Sequence, residues 1–247
     1  MKRFVKYIVG KFGYQLSKIP QLHTQENKKS FLQEHYLPKR LDEFRNISFA
    51  YYAIQKLIVD LDFDTVLDIG SGAGEHTQCF LQHNKTVTAI DFGKSFYFEK
   101  RIDNYNYIQT DYNSYKFEQQ FDAIWASHIL EHQPNPNAFL KKIYNDLKDG
   151  GILAITVPPL KHEIVGGHVT LWNAGLLLYQ LILAGFDCQK ASVLKYGYNI
   201  SMIVKKKRID TFPELAFDKG DIERLLDYFP DGFTEPFNGD INNLNWE

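Results

Sequence analysis

The sequence has few of the features that mark several large classes of protein. Only two cysteines, Cys79 and Cys188, occur among 247 residues, which excludes a disulfide framework or a cysteine zinc site and fits a reducing, cytoplasmic location. The most apolar stretch, 175–185, is interrupted by Gln180 and is much shorter than the about 20 residues of a membrane-spanning helix. The net charge of −2 gives no electrostatic support for a nucleic-acid partner.

Charged and aromatic residues are unevenly placed at the two ends of the chain. The opening segment is basic, has no acid before Glu26, and carries apolar residues at helical spacing. It predicts a short amphipathic helix that covers the domain or a partner subunit, or rests peripherally on an anionic membrane surface. The stretch 209–247 is acidic and rich in aromatic residues, and disordered tails have few of these. We therefore expect it to pack on the domain or on a second subunit.

A glycine-rich segment follows a buried-strand pattern at 66–69 and leads into a helix predicted to begin near Glu75. Glycines let a backbone approach a ligand closely, and the start of a helix presents free N–H groups. A dinucleotide-binding Gly-x-Gly-x-x-Gly pattern that starts at Gly70 would need a third glycine where Glu75 stands. The segment therefore predicts a ligand site but disfavours an NAD-binding oxidoreductase.

From Asp68 to Gly74 the chain reads Asp-x-Gly-x-Gly-x-Gly, which resembles motif I of the class I S-adenosylmethionine (SAM) dependent methyltransferases. Predicted strands at 86–90, 105–109 and 121–126 follow in the order of that family, and a Leu-Lys-x-Gly-Gly turn precedes the next strand, as is typical of it. The resemblance covers about 66–204. It implies methyl transfer from SAM, with S-adenosylhomocysteine as the product.

The resemblance also implies where SAM binds. Asp91 lies about 20 residues after the glycine turn, where a carboxylate accepts hydrogen bonds from both ribose hydroxyls. Asp111 faces the adenine amino group in this interpretation, and Tyr112 or Ile108 lies near the ring. The alternatives are a turn acid at Asp91 and a solvated loop acid at Asp111. The predicted cofactor site comprises Asp68, Gly70, Ser71, Gly72, Gly74, Asp91, Phe92, Thr110, Asp111, Tyr112 and Ser127.

Two histidine-bearing segments border the acceptor side of the predicted crevice. His128, Glu131 and His132 follow the fourth predicted strand, and His168 lies in the loop after the fifth. In one hypothesis a histidine is the general base for a hydroxyl acceptor, and His128, His168 and His132 are the predicted catalytic residues. In a second, the cluster binds a divalent metal. In a third, Glu131 and the histidines only stabilise the loops.

One residue of this cluster disfavours a magnesium site. Some relatives that act on small RNA ends or ubiquinone precursors carry Glu-x-x-Glu-His in this place and hold magnesium. His128 stands here where they have the first Glu, and magnesium prefers oxygen ligands. The sequence therefore leads to no metal assignment.

The acceptor is predicted from an absence and a second resemblance. Methylases of amide or base nitrogen often carry Asn/Asp-Pro-Pro-Tyr after the fourth strand, whereas 126–128 reads Ala-Ser-His, so oxygen is the favoured acceptor atom. The segment 166–186 is similar to that of bacterial methyltransferases encoded with surface polysaccharide genes. This implies a small-molecule or glycan acceptor, namely a sugar hydroxyl, phosphate or phosphoramidate, in capsule or lipopolysaccharide biosynthesis. The alternatives are a quinone or lipid methyltransferase at the membrane surface and a non-catalytic SAM-binding module.

The alternation of strand and helix patterns predicts the fold class. It indicates an α/β, doubly wound, Rossmann-like sheet with helices on both faces, including helices at 44–61 and 172–184. The resemblance implies seven mostly parallel strands with an antiparallel edge hairpin. Ligands of such sheets bind outside the carboxyl ends of the strands, where the predicted site residues converge. The predicted divisions are an N-terminal extension at 1–43, the methyltransferase domain at 44–208 and a C-terminal extension at 209–247.

Overall fold

Strands alternate with helices through the residues that the computed structural model describes, 37–101 and 105–247. The basic helix predicted near the N-terminus lies outside these residues. The strands are β1 Thr65–Ile69, β2 Thr86–Asp91, β3 Tyr107–Gln109, β4 Phe121–Ser127, β5 Leu147–Val157, β6 Ser192–Tyr196, β7 Asn199–Lys205 and β8 Asn243–Leu244. The helices are α1 Tyr51–Asp60, α2 Glu75–Gln82, α3 Pro136–Asp146, α4 Ala174–Leu183 and α5 Asp221–Arg224.

All eight strands form one mixed sheet in the order β3-β2-β1-β4-β5-β7-β6-β8. The first five of these are parallel, and β7, β6 and β8 continue the sheet in antiparallel pairing. The predicted fold class and the antiparallel edge hairpin are confirmed. The order reverses between β1 and β4, so the loops that follow these two strands diverge and leave a crevice at their carboxyl ends.

Apolar side chains on successive strand residues bury both faces of the sheet. Ala123 and Trp125 of β4 belong to the buried cluster that contains Leu57 of α1 and Phe80 of α2. The helix α3 contacts α4 and β5, and its buried residues are not in that cluster, so α3 and α4 cover the opposite face. No helix in the described part of the chain is long and apolar enough to cross a membrane.

The helix predicted for 44–61 begins later than expected. A separate 3₁₀ turn covers Asp42–Phe44, and Ala50 has a left-handed backbone with φ 53°, which starts α1 only at Tyr51. This interruption brings Phe49 to the carboxyl edge of the sheet, where it lines the crevice.

Residues after 208 pack against the sheet of the same chain. Leu244 pairs with Val193 of β6, and Trp246 is buried in the cluster around Leu57. The pairing adds an eighth strand that was not predicted, because two residues carry no periodic signal. Within this segment, α5 is a single α-helical turn that is followed by a 3₁₀ turn, Leu226–Tyr228, and no side chain caps α5.

Candidate active site

The glycine turn after β1 has a backbone that other residues rarely adopt. Gly70, Gly72 and Gly74 have φ values of 74°, 50° and 84°. At Gly74, a Cβ atom would lie 2.2 Å from the Tyr105 ring. The helix α2 starts directly after this glycine, and the N–H groups of its first turn have no acceptor within the helix. A turn followed by a helix start of this kind is suited to an anionic group.

Asp91 fixes the shape of this turn from the end of β2. Its Oδ2 accepts the Gly72 N–H at 2.9 Å, and its Oδ1 accepts the Gly93 N–H at 2.7 Å. The side chain is buried yet lines the crevice. Each carboxylate oxygen has two lone pairs, so Asp91 retains the capacity to accept hydrogen bonds from a diol.

The crevice is a cavity of about 910 Å³, within the range for cofactors and small ligands. It runs from the glycine turn past the ends of β2, β3 and β4 to the histidine-bearing segments. The Ser127 hydroxyl is buried there without a hydrogen-bond partner among the described residues. The predicted cofactor residues that line the cavity are Gly70, Ser71, Gly72, Asp91, Phe92, Thr110, Asp111, Tyr112 and Ser127.

Asp68 and Gly74, which were also predicted to bind the cofactor, are not among the lining residues. Asp68 lies beneath the turn, almost wholly buried, and its Oδ2 accepts the Thr77 hydroxyl at 2.6 Å. The contact ties β1 to α2. Burial raises the pKa of Asp68 to about 7, with a smaller rise from Asp91 that opposes the effect of the Thr77 hydrogen bond. Asp68 therefore supports the turn from behind.

Tyr112 and Asp111 differ in their surroundings. The Tyr112 ring is buried edge-on against Phe139, its hydroxyl donates to Asp146 at 2.8 Å, and burial raises its pKa. Only part of this side chain is available to a ligand. Asp111 is exposed at the cavity mouth, where its Oδ1 accepts the Asn113 N–H at 2.9 Å.

His128 follows β4 with a left-handed backbone, φ 53°. This conformation is uncommon for a residue with a Cβ atom and is found most often at functional sites. Its main chain donates to the Thr156 carbonyl at 2.8 Å. The ring contacts Phe49, at a centroid distance of 4.9 Å, and stacks near Tyr198, at 5.9 Å. These aromatic contacts position the imidazole at the wall of the cavity.

Asn199 determines which nitrogen of His128 carries a proton. Its Oδ1 accepts the Ala50 N–H at 3.0 Å, and its Nδ2 donates to the Tyr196 carbonyl at 3.3 Å, so the amide orientation is fixed by two main-chain groups. His128 Nε2 lies 3.0 Å from the same Oδ1 and must donate to it. The other nitrogen, Nδ1, lies 3.4 Å from Glu131 Oε1.

Glu131 brings the remaining histidines together. It precedes His132 in a 3₁₀ turn, Leu130–His132. Its main-chain carbonyl accepts N–H groups of Val169 and Thr170, at 2.9 and 3.2 Å, which draws the loop with His168 onto this turn. Ligand atoms of Glu131, His132 and His168 all lie within 4.8 Å of one another. The three predicted catalytic histidines thus share one end of the cavity.

Burial lowers the pKa of His168, and the nearby Glu131 opposes this shift while His132 and His128 add to it. Its imidazole therefore favours the neutral form, which accepts a proton or binds a metal.

Several residues at this end were not predicted from the sequence. Trp125 Nε1 donates to His76 Nδ1 at 3.2 Å, and His76 Nε2 donates to the Phe49 carbonyl at 3.0 Å. This chain fixes the segment that carries Phe49 against His128. Asn199 was likewise missed. These contacts join residues 27 to 71 positions apart, and no local pattern marks them.

Comparison with known proteins agrees with this geometry. Residues 67–155 match the family described as a methyltransferase domain. The ubiquinone biosynthesis O-methyltransferase of Pseudomonas entomophila (strain L48) is 31% identical over 101 residues, which cover 38% of this chain and 44% of that protein. The (S)-coclaurine N-methyltransferase of Papaver somniferum is 30% identical over 144 residues, 48% of this chain and 41% of that one. The chain thus spans less than half the length of these curated relatives.

Two solved structures share the fold. The Burkholderia thailandensis 1,6-didemethyltoxoflavin-N1-methyltransferase, with bound S-adenosylhomocysteine, superimposes with a TM-score of 0.51 at 19% identity, covering 67% of this chain and 78% of that one. The sugar N-methyltransferase KedS8 from Streptoalloteichus sp ATCC 53650 gives 0.53 at 14% identity, covering 79% and 100%. The chain thus shares the fold of these methyltransferases, and its residues 67–155, which include the glycine turn, match the methyltransferase-domain family.

The raised pKa of Asp68 predicts a specific pH dependence of stability. The folded protein holds this proton up to about pH 7, whereas an unfolded chain releases it near its ordinary pKa of about 4. The wild type therefore loses free energy of unfolding as pH rises from about 4 to 7. Asp68→Asn removes this titration and retains an oxygen that accepts from Thr77.

We therefore expect the free energy of unfolding of Asp68→Asn, relative to that of the wild type, to increase as pH rises from about 4 to 7 and to stay constant above that range. Urea denaturation at several pH values measures it. The matched control is Asp60→Asn on the surface of α1. A difference that moves the other way would contradict the buried, protonated state of Asp68.

Proposed function

We propose that this protein is a SAM-dependent O-methyltransferase that acts on a small-molecule or glycan acceptor. The favoured acceptor is a sugar hydroxyl, a phosphate or a phosphoramidate in bacterial capsule or lipopolysaccharide biosynthesis. The observation that carries the proposal is the continuity of the cavity, which has a glycine turn at one end and three imidazoles at the other. A methyl donor at the first end would direct its sulfonium towards the second.

The donor end fits SAM by the character of its polar groups. The N–H groups at the start of α2 suit a carboxylate. Asp91 offers acceptor oxygens to the ribose hydroxyls, and Asp111 offers one to the adenine amino group at the cavity mouth. The unpartnered hydroxyl of Ser127 provides a further polar contact. The bound donor supplies an electrophilic methyl group, and the chain's own residues orient it.

The acceptor end favours an oxygen nucleophile. Phe49 and Tyr198 line this end of the cavity. Methyl transfer requires the two reactants to be aligned and shielded from water, and apolar rings beside the site favour both. A hydroxyl loses a proton when it is methylated, and His128, His132 and His168 are the groups available to assist this loss. The Asn/Asp-Pro-Pro-Tyr sequence of many nitrogen methylases is absent after β4.

Two likenesses support the acceptor class. The segment 166–186 is similar to that of polysaccharide-cluster methyltransferases, and a sugar N-methyltransferase shares the fold along its whole length. The second candidate is a quinone or lipid acceptor, which the identity to the ubiquinone biosynthesis O-methyltransferase favours. The glycine turn is intact, which disfavours the alternative of a non-catalytic SAM-binding module. Contact of 1–43 with a membrane surface and formation of a homodimer remain predictions.

We expect Asp91→Ala to weaken SAM binding by roughly 10- to 100-fold. Each hydrogen bond to a charged group contributes about 1.5–3 kcal/mol, and the substitution also releases the Gly72 N–H that shapes the turn. Calorimetric titration of SAM into the folded variant measures the change, with Asp60→Ala as a surface control. Unchanged affinity would mean that the ribose is held elsewhere.

Methyl transfer from isotopically labelled SAM to a panel of acceptors tests the reaction itself. The panel contains sugar nucleotides, sugar phosphates, quinol precursors and amines, and mass spectrometry locates the methyl group. We expect label on an oxygen atom of a carbohydrate acceptor. Label on quinols alone would select the second candidate, and label confined to nitrogen would contradict the O-methyltransferase proposal.

A further inference from the structure

The carboxylate of Glu131 is buried among imidazoles at the acceptor end of the cavity. Glu131 has only 1% of its surface exposed, and neither of its carboxylate oxygens accepts a hydrogen bond from any residue within 37–101 or 105–247. Burial of a charged group is costly unless it is paired or binds a metal. In the same part of the chain, the ion-pair partners of Glu131 are His128 and His132. No lysine or arginine of the described residues reaches it.

The tautomers of the surrounding histidines direct lone pairs towards this carboxylate. His132 Nδ1 lies 2.8 Å from the Gly167 carbonyl and must donate to it, so the lone pair of the neutral ring is on Nε2, 3.8 Å from Glu131 Oε1. His128 is fixed in the opposite tautomer by Asn199, and its Nδ1 faces the same oxygen. Two lone pairs aimed at a carboxylate repel it, unless protons or a cation lie between them.

Metal-binding histidines are oriented in this manner. They usually donate the second ring N–H to a main-chain carbonyl or a side-chain oxygen, which fixes the tautomer and the direction of the ligand nitrogen. Gly167 allows the approach, since a Cβ atom there would lie 3.2 Å from His132 Nδ1. His168 directly follows Gly167. Its ligand atom and those of Glu131 and His132 all lie within 4.8 Å of one another.

We propose that Glu131, His132 and His168 bind a divalent first-row transition metal, with His128 beside it. Two imidazoles and one carboxylate suit zinc, iron, cobalt or manganese better than magnesium. Ligands with bonds of about 2.1 Å lie at most about 4.2 Å apart, so the set must contract by only on the order of 1 Å. Three protein ligands leave positions open towards the cavity.

The open coordination positions would allow the ion to bind the methyl acceptor, an inference that rests on the proposed function. An acceptor hydroxyl bound to the metal would lose its proton more readily and would be held at the end of the cavity opposite the glycine turn. The binding of the ion does not depend on that function, so the two are tested separately.

Metal titration of the full-length, untagged chain tests the site. After chelator treatment, Co²⁺ is added and its visible absorption is followed, with Zn²⁺ and Mg²⁺ as competitors. We expect one equivalent of Co²⁺ to bind, Zn²⁺ to displace it, and excess Mg²⁺ to leave it in place. Absence of stoichiometric binding would overturn the proposal and mean that protons on the histidines compensate Glu131.

Variants localise the ion. We expect Glu131→Gln and His168→Gln each to weaken Co²⁺ binding at least about 10-fold. Substitution of a residue that only hydrogen-bonds a metal ligand already lowers metal affinity by about that factor. His83→Gln is the matched control, because His83 also faces a glutamate, Glu43, at 3.7 Å but lies outside the cluster. Wild-type binding in both cluster variants would contradict the assignment.

Glu131 is buried, so its variant is first checked for folding by circular dichroism; His168 lies in a loop and provides the second, independent variant. SAM is titrated into the same samples. If a variant no longer binds the metal but still binds SAM, the substitution has affected the metal site alone. If the folded wild type does not bind SAM, the proposed function is wrong, whereas the conclusion on the metal site is unaffected.

Discussion

The carboxylate of Asp91 joins two neighbouring strands at the edge of the sheet where the ligand site lies. It accepts one N–H from the turn after β1 and one from the residues after β2. The turn needs this support, because three of its glycines have positive φ values and a backbone without side chains does not hold such a shape by packing. Asp68 supports it from below through Thr77 of α2. The direction of the α2 N–H groups, and hence the anion site, depends on these two acids.

Electrostatics divide the cavity into two ends. At the glycine turn, the fixed carboxylate of Asp91 holds main-chain N–H groups in place. At the other end, one buried carboxylate is surrounded by imidazoles rather than by lysine or arginine. Imidazoles change protonation and bind metals near neutral pH, whereas a lysine would neutralise Glu131 permanently. This end is therefore suited to handle a proton from an acceptor, and the turn is not.

The sequence predicted the fold class and the location of the glycine turn because both are local or periodic features. The strand patterns are apolar and bounded by turn residues, and the glycine spacing excludes the dinucleotide pattern. The role of Asp68 could not be read from the motif, since its direction depends on Thr77 packing beneath the turn.

The acceptor end was predictable only in part. The histidines stood out by residue type, but their tautomers depend on Asn199 and Gly167, which lie 71 and 35 residues away from the rings they fix. The relative positions of His128, Glu131 and His132 depend on a left-handed residue and a 3₁₀ turn, which the sequence does not reveal. Phe49 reaches the site because α1 starts later than its amphipathic pattern implied.

The most direct measurement of the central claim is a comparative calorimetric titration of the full-length protein with SAM, S-adenosylhomocysteine and NAD. If the turn supported by Asp91 holds the amino-acid part and ribose of a sulfonium donor, SAM and S-adenosylhomocysteine bind with one site each and NAD does not. Binding of NAD without binding of SAM would contradict the account.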